Sequence, residues 1–136
     1  DIDYFKQYND RYGHQAGDDC VRAIATLIRQ MESDQIFCAR YGGDEFVIIY
    51  SGMSAEEVCE RAEKLRQDVM ALQIEQRYTE GAFGVTISQG ICHDIPSNGN
   101  KNWDFLHGAD QALYRVKRRG RNRLCMTDIH GREIEV

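Results

Sequence analysis

Two apolar runs, Ile36-Phe37-Cys38-Ala39 and Phe46-Val47-Ile48-Ile49-Tyr50, flank the segment Arg40-Tyr41-Gly42-Gly43-Asp44-Glu45. The runs are short and rich in β-branched and aromatic residues, which predicts strands, and the adjacent glycines predict a tight hairpin between them. This pattern forces an antiparallel pair into the fold and places Asp44 and Glu45 at a strand start. The backbone beside them carries no side chain to hold a ligand away. Two adjacent acids add little to a hairpin, but they suit a site for metal ions and phosphates. The plainer alternative for Gly42 and Gly43 is a turn and nothing more.

The rest of the chain fits an α+β domain with helices packed on a central mixed, mainly antiparallel sheet. Phe5 to Tyr12 predicts a short helix ending near Gly13, and Val21, Ile24, Ile28 and Met31 form a stripe at helical period. Ser54-Ala55-Glu56-Glu57 is a capping-box pattern, opening a helix with Val58, Ala62, Leu65, Val69 and Leu72 inward as far as about residue 73. Gly84 to Cys92 reads as a strand with Val85, Ile87 and Ile91 inward, and Asp94 to Lys101 as a loop. Leu106, Ala109, Leu113 and Val116 predict a helix capped at Gly120, followed by a strand from Arg123 to Met126 and a short one from Glu133 to Val136. Trp103, Phe105, Tyr41 and Phe46 are expected to be packing residues.

With 136 residues, 42% of them hydrophobic, the chain has material for one core and one domain over residues 1–136. No run approaches a membrane span, and no signal peptide is visible. The opening residue is Asp1 rather than Met, so a longer protein with an upstream sensor or regulatory domain is expected. The five cysteines are an odd number, widely spaced and without a C-x-x-C pair, which argues against a disulfide framework and a zinc site. A net charge of -5 does not favour nucleic-acid binding. Basic residues nevertheless cluster at Arg115, Lys117, Arg118, Arg119, Arg121 and Arg123, either as a solvated helix face or as a phosphate contact beside Gly120.

Asp1 and Asp3 stand just before a predicted helix start, where free backbone N–H groups favour phosphate oxygens. Asp3 could equally cap that helix. If Asp1 and Asp44 converge, they form a hard-oxygen site suited to Mg²⁺ or Mn²⁺ with phosphates as further ligands.

The ordered set Asp1-Ile2-Asp3-Tyr4-Phe5-Lys6, Asn9-Asp10, Gly13-His14, Gly17-Asp18 and Arg40 to Phe46 resembles the GGDEF family of diguanylate cyclases. The resemblance continues through Thr86-Ile87-Ser88 and Gly90, Ala109-Asp110, Ala112-Leu113-Tyr114, Lys117 and Gly120-Arg121-Asn122. It implies a cytoplasmic domain, free or part of a membrane-anchored protein, that condenses two GTP into cyclic di-GMP as a homodimer. A GTP-binding regulatory module without turnover is the alternative. By the same resemblance, Asp1, Asp44 and the Ile2 carbonyl hold the metal, and Asp44 or Glu45 assists deprotonation of the ribose 3′-hydroxyl. Phe5, Lys6, Gly42, Gly43, Lys117 and Arg121 meet the phosphates, while Asn9 and Asp18 read guanine. A carboxylate can accept from guanine N1–H and its exocyclic amine together, a pair of donors that adenine lacks. The alternative for Asp18 is a cap of the helix carrying Val21 and Ile24.

Two departures from the family pattern stand out. Where many members carry an inhibitory Arg-x-x-Asp, this chain has Ser33 and Ile36, so strong product inhibition through that site is expected to be absent. The helix and first central strand that usually precede the segment matching Asp1 are not in this sequence, which predicts a less firmly held Asp1.

Overall fold

The computed structural model describes residues 1–76 and 84–136. Helix α1 (Phe5–Tyr12) ends at Gly13, whose φ of 91° suits only a residue without a Cβ, and α2 (His14–Arg29) begins at once. Gly17, Cys20, Val21, Ile24 and Ile28 form the buried face of α2, and Met31 packs against the same core just past its end. Strands β1 (Ile36–Gly42) and β2 (Glu45–Tyr50) pair antiparallel, with Ile36 opposite Tyr50 and a register shift between Arg40 and Gly42. The hairpin therefore forms as its sequence predicts.

Helix α3 (Ala55–Ala71) opens with the expected capping box. The Glu57 N–H donates to Ser54 Oγ at 3.1 Å, and the Ser54 N–H donates to Glu57 Oε2 at 3.0 Å. Val58, Ala62, Leu65 and Val69 are buried, whereas Leu72 lies past the helix end and is exposed. Strands β3 (Gln89–Cys92) and β4 (Leu124–Thr127) pair in parallel, joined through α4 (Asn102–Arg118). The fold is α+β, its mixed sheet divided into an antiparallel ladder and a parallel one. The segment Asp1–Asp3 runs between them, with Ile2 bridging antiparallel to Ile87 and hydrogen-bonding to Asp44. The main core gathers Ile2, Tyr8, Val21, Ile24, Leu65, Val69, Val85 and Ile87, and a smaller cluster joins Ala112, Val116 and Cys125.

Three expectations are corrected. Helix α4 buries Val116 as expected, but its other buried residues are Gly108 and Ala112, while Leu106 is exposed, because the helix lies so close to β3 that the row beside it must be small. Trp103 and Tyr41 are exposed; Lys101 Nζ lies 5.0 Å from the Trp103 ring centre, and Tyr41 sits at the strand irregularity. Among the described residues a single bridge, Thr127 to Glu133, stands where a last strand was expected. All five cysteines are free, and no described helix is long and apolar enough to cross a membrane.

Candidate active site

The site is organised around the first three residues. The Asp1 backbone nitrogen donates to the Ser88 carbonyl at 3.0 Å, and the Ser88 N–H donates to the Asp1 carbonyl at 3.0 Å. Two residues on, the Asp3 N–H donates to the Thr86 carbonyl at 2.9 Å. In such an antiparallel pairing the residue between turns both polar backbone groups to the opposite side. Ile2 accordingly donates its N–H to the Asp44 carbonyl at 3.2 Å. Its own carbonyl faces the same way, and no hydrogen-bond donor among the described residues reaches it. Asp1 is thus held by Ser88.

Asp44 lies half-buried in the hairpin turn, and Glu45 is exposed at the first position of β2. Gly43 has φ 51°, and a Cβ placed on Gly42 or Gly43 would meet nothing within 4 Å. The glycines border open space, as a phosphate-approach surface requires. Arg40 latches the turn from below, donating through Nε and Nη2 to the Gly43 carbonyl at 2.9 and 2.6 Å. Its place three residues before Gly43, across a predicted hairpin, was the only signal of this role.

From the far end of the chain, Lys117 on α4 forms an ion pair with the Asp1 carboxylate. The Asp1 side chain is only 8% exposed, so this partner offsets a charge that would otherwise be buried alone. The Asp1 backbone nitrogen lies within electrostatic reach of Asp3, Asp44, Glu45 and Lys117. Arg121 lies over the Tyr4 ring, its guanidinium 4.6 Å from the ring centre, and Nη1 donates to Tyr4 Oη at 3.5 Å. Tyr4 was not singled out from the sequence, since an aromatic residue at a helix start usually packs inward.

Helix α1 carries the remaining residues away from this cluster. Phe5 is half-buried against the core at its first position, and Lys6 is exposed. Asn9 follows about 6 Å further along the axis. Asn9 Oδ1 is buried and has no hydrogen-bond partner among the described residues. It presses on Gly17 of α2, where a Cβ would come within 1.7 Å of it. Asp18, next to Gly17, is exposed inside α2 rather than at its start, so it does not cap that helix. Asp3 does not cap α1 either: the cap position is Tyr4, with φ 55°, and no side-chain bond is made there. The Asp3 carboxylate is buried against Thr86 and Ser88 instead.

The structure therefore gathers Asp1, Ile2, Asp44, Glu45 and Lys117, sets Arg121 beside them through Tyr4, and places Asn9 and Asp18 at the α1–α2 junction. Among the described residues no three side chains of the His, Cys, Asp and Glu type could hold a metal by themselves. The oxygen donors on offer are two carboxylates and the Ile2 carbonyl. Hard cations that bind phosphates commonly take only one or two carboxylates from the protein, so this set fits one.

The chain is similar to known proteins over most of its length. A curated diguanylate cyclase of Vibrio cholerae serotype O1 is 36% identical over 132 residues, which cover 93% of this chain and 38% of that protein. Diguanylate cyclase DgcZ of Escherichia coli is 36% identical over 129 residues, covering 94% of this chain and 42% of that protein. The chain thus spans about two fifths of the length of these relatives. The crystal structure of the GGDEF domain of DgcB from Caulobacter crescentus, in complex with c-di-GMP, superposes with a TM-score of 0.82 at 37% identity. That superposition covers 96% of this chain and 74% of the other. The family described as "Diguanylate cyclase, GGDEF domain" matches residues 1–123, and the chain belongs to that family.

Proposed function

We propose that this domain condenses two GTP into cyclic di-GMP, working as a homodimer in which each subunit holds one nucleotide. The observation that carries the proposal is the meeting of Asp1, Asp44, the Ile2 carbonyl, which has no donor among the described residues, and Lys117 beside a glycine turn bordering open space. Each 3′-hydroxyl attacks the α-phosphate of the facing nucleotide. A P–O bond to that hydroxyl forms, the bond to pyrophosphate breaks, and the hydroxyl proton leaves.

Mg²⁺ or Mn²⁺ held by Asp1, Asp44 and the Ile2 carbonyl would supply charge neutralisation at the phosphates and acidify the attacking hydroxyl. Asp44, with Glu45 beside it, receives the hydroxyl proton. The backbone at Phe5, the Lys6 ammonium and the turn at Gly42 and Gly43 seat the triphosphate. Lys117 and Arg121 stabilise the charge that develops as pyrophosphate departs, the dominant task in phosphoryl chemistry. With a metal on Asp1, Lys117 would be released from its Asp1 partner to meet phosphate oxygens. Asn9 and Asp18 bind the guanine edge, about one helical turn from the phosphates.

An upstream sensor domain in the full-length protein would bring two such subunits face to face. The test is incubation of the full-length chain with GTP and Mg²⁺, with nucleotides resolved against authentic cyclic di-GMP. Product is expected, with a specific rate that rises with protein concentration because two loaded copies must meet. GTP binding without product would instead support a regulatory module, a second reading favoured by the Lys117–Asp1 pair, which occupies one of the acids.

Gly17 gives a separate prediction for base recognition. In Gly17→Ala the new methyl group would displace the Asn9 carboxamide, which lies within 1.7 Å of the Cβ position. GTP affinity is expected to fall about tenfold or more, the scale of losing hydrogen bonds in a built polar site. ATP affinity should barely change, so competition binding that finds unchanged preference for GTP would remove Asn9 from the base site. Product inhibition through residues 33–36 remains an expected absence. Ser33 and Ile36 carry no charge to offer a product phosphate, and Ile36 is buried in the core.

A further inference from the structure

We propose that Asp3, a residue outside the metal and phosphate set, is the positioning residue for Arg121, an inference that rests on reading Arg121 as a phosphate ligand. Its carboxylate is part of a residue only 4% exposed. Thr86 Oγ1 donates to Oδ2 at 2.7 Å, Ser88 Oγ donates to Oδ1 at 2.6 Å, and the Asn122 N–H donates to Oδ2 at 3.1 Å. The same Asn122 N–H lies 3.2 Å from Ser88 Oγ. Asp3 thus reaches across the sheet to the turn after α4.

That turn is strained. Gly120, Arg121 and Asn122 follow one another at φ 108°, 64° and 49°. For residues with a Cβ such a conformation is costly and persists only where its surroundings over-determine it. Three elements do so. The Arg121 N–H donates to the Val116 carbonyl of α4 at 3.1 Å. Arg66 of α3 donates to Asn122 Oδ1 at 3.1 Å while Glu63 holds that arginine through two bonds of 2.9 and 2.5 Å. Asp3 takes the backbone N–H from the third side.

Position 3 also accounts for where the arginine ends up. Tyr4, the next residue, supplies the ring on which the Arg121 guanidinium lies at 4.6 Å. One dipeptide therefore provides both the anchor for the turn and the platform for its side chain. A buried carboxylate is an expensive way to fill a core position. Its three donors, one of them a backbone N–H that cannot reorient, explain why a charge stands there. Asparagine keeps one acceptor oxygen that could still serve the Asn122 N–H, whereas alanine keeps none.

A double-mutant cycle of Asp3→Ala and Arg121→Ala tests this, with affinity for a GTP analogue carrying a non-cleavable α–β linkage measured by calorimetry in Mg²⁺. Each single variant is expected to weaken binding about tenfold, the scale of one charge-assisted contact, and the double variant no further than either alone. Asp3→Asn should fall between Asp3→Ala and the parent, and it carries the cycle if Asp3→Ala does not fold. Where Arg121→Ala does weaken binding, effects that multiply, or unchanged affinity in a folded Asp3→Ala, would overturn the proposal. A ring-current shift of the Arg121 side-chain protons by Tyr4, read by NMR without nucleotide, separates the two layers. Its loss in the Asp3 variants, with Arg121→Ala leaving affinity unchanged, would keep the positioning and discard the phosphate reading. A shift that persists in the Asp3 variants would discard the positioning itself.

Discussion

Asp44→Ala is expected to abolish formation of cyclic di-GMP while leaving the fold intact. The loss should reach at least about 10²–10³-fold, the scale of deleting one preorganised electrostatic contact at a reacting centre. The fold should tolerate the change because the tie from this position to the rest of the molecule is its backbone carbonyl, which accepts from the Ile2 N–H at 3.2 Å and survives in alanine. No side-chain hydrogen bond from Asp44 is present among the described residues, so stability should shift by no more than about 0.5 kcal/mol. Product assayed by chromatography and a thermal melt on the same sample separate the two quantities. Continued turnover in the variant would remove Asp44 from the chemistry. Lost product with a collapsed melt would show that its role is structural.

Gly90→Ala is expected to produce the largest loss of stability from a single added methyl group. A Cβ there would stand 2.2 Å from the Leu113 nitrogen, 2.3 Å from the Ala109 carbonyl oxygen and 2.6 Å from the Leu113 Cα. All three atoms belong to the backbone of α4, which cannot move aside as a side chain can. Helix and strand must separate, and the cost should be about 3 kcal/mol or more. For a domain of this size that lowers the melting temperature by roughly 10 °C. Gly99→Ala is the matched control, since nothing lies within 4 Å of its Cβ position, and should change stability by less than about 0.5 kcal/mol. An unchanged melting temperature in Gly90→Ala would contradict so close a seating of α4 on β3. The same seating fixes the helix that carries Lys117 toward Asp1, so a surviving Gly90→Ala protein should also bind nucleotide less tightly.

The residues themselves determined a good deal. The hairpin around Gly42-Gly43, the break at Gly13 and the capping box at Ser54 rest on backbone preferences that act over a few residues. The buried stripes of α2 and α3 rest on helical period. The metal and phosphate roles rest on the resemblance of an ordered set of acids, glycines and bases to the GGDEF family, which extends along nearly the whole chain.

What the sequence could not supply is how distant elements meet. In α4 the expected row of Leu106, Ala109, Leu113 and Val116 and the buried row of Gly108, Ala112 and Val116 lie on neighbouring stripes. Hydropathy favours the first, and only the approach distance set by Gly90 selects the second. Asp3 before a predicted helix reads locally as a cap, yet it turns to Thr86, Ser88 and Asn122, partners supplied by the sheet and the late turn. The pairing of Lys117 with Asp1 and the seating of Arg121 on Tyr4 likewise join the two ends of the chain. Local preference decides conformation one or two turns at a time. Which charge meets which depends on the seating of each helix on the sheet, and that belongs to the folded whole.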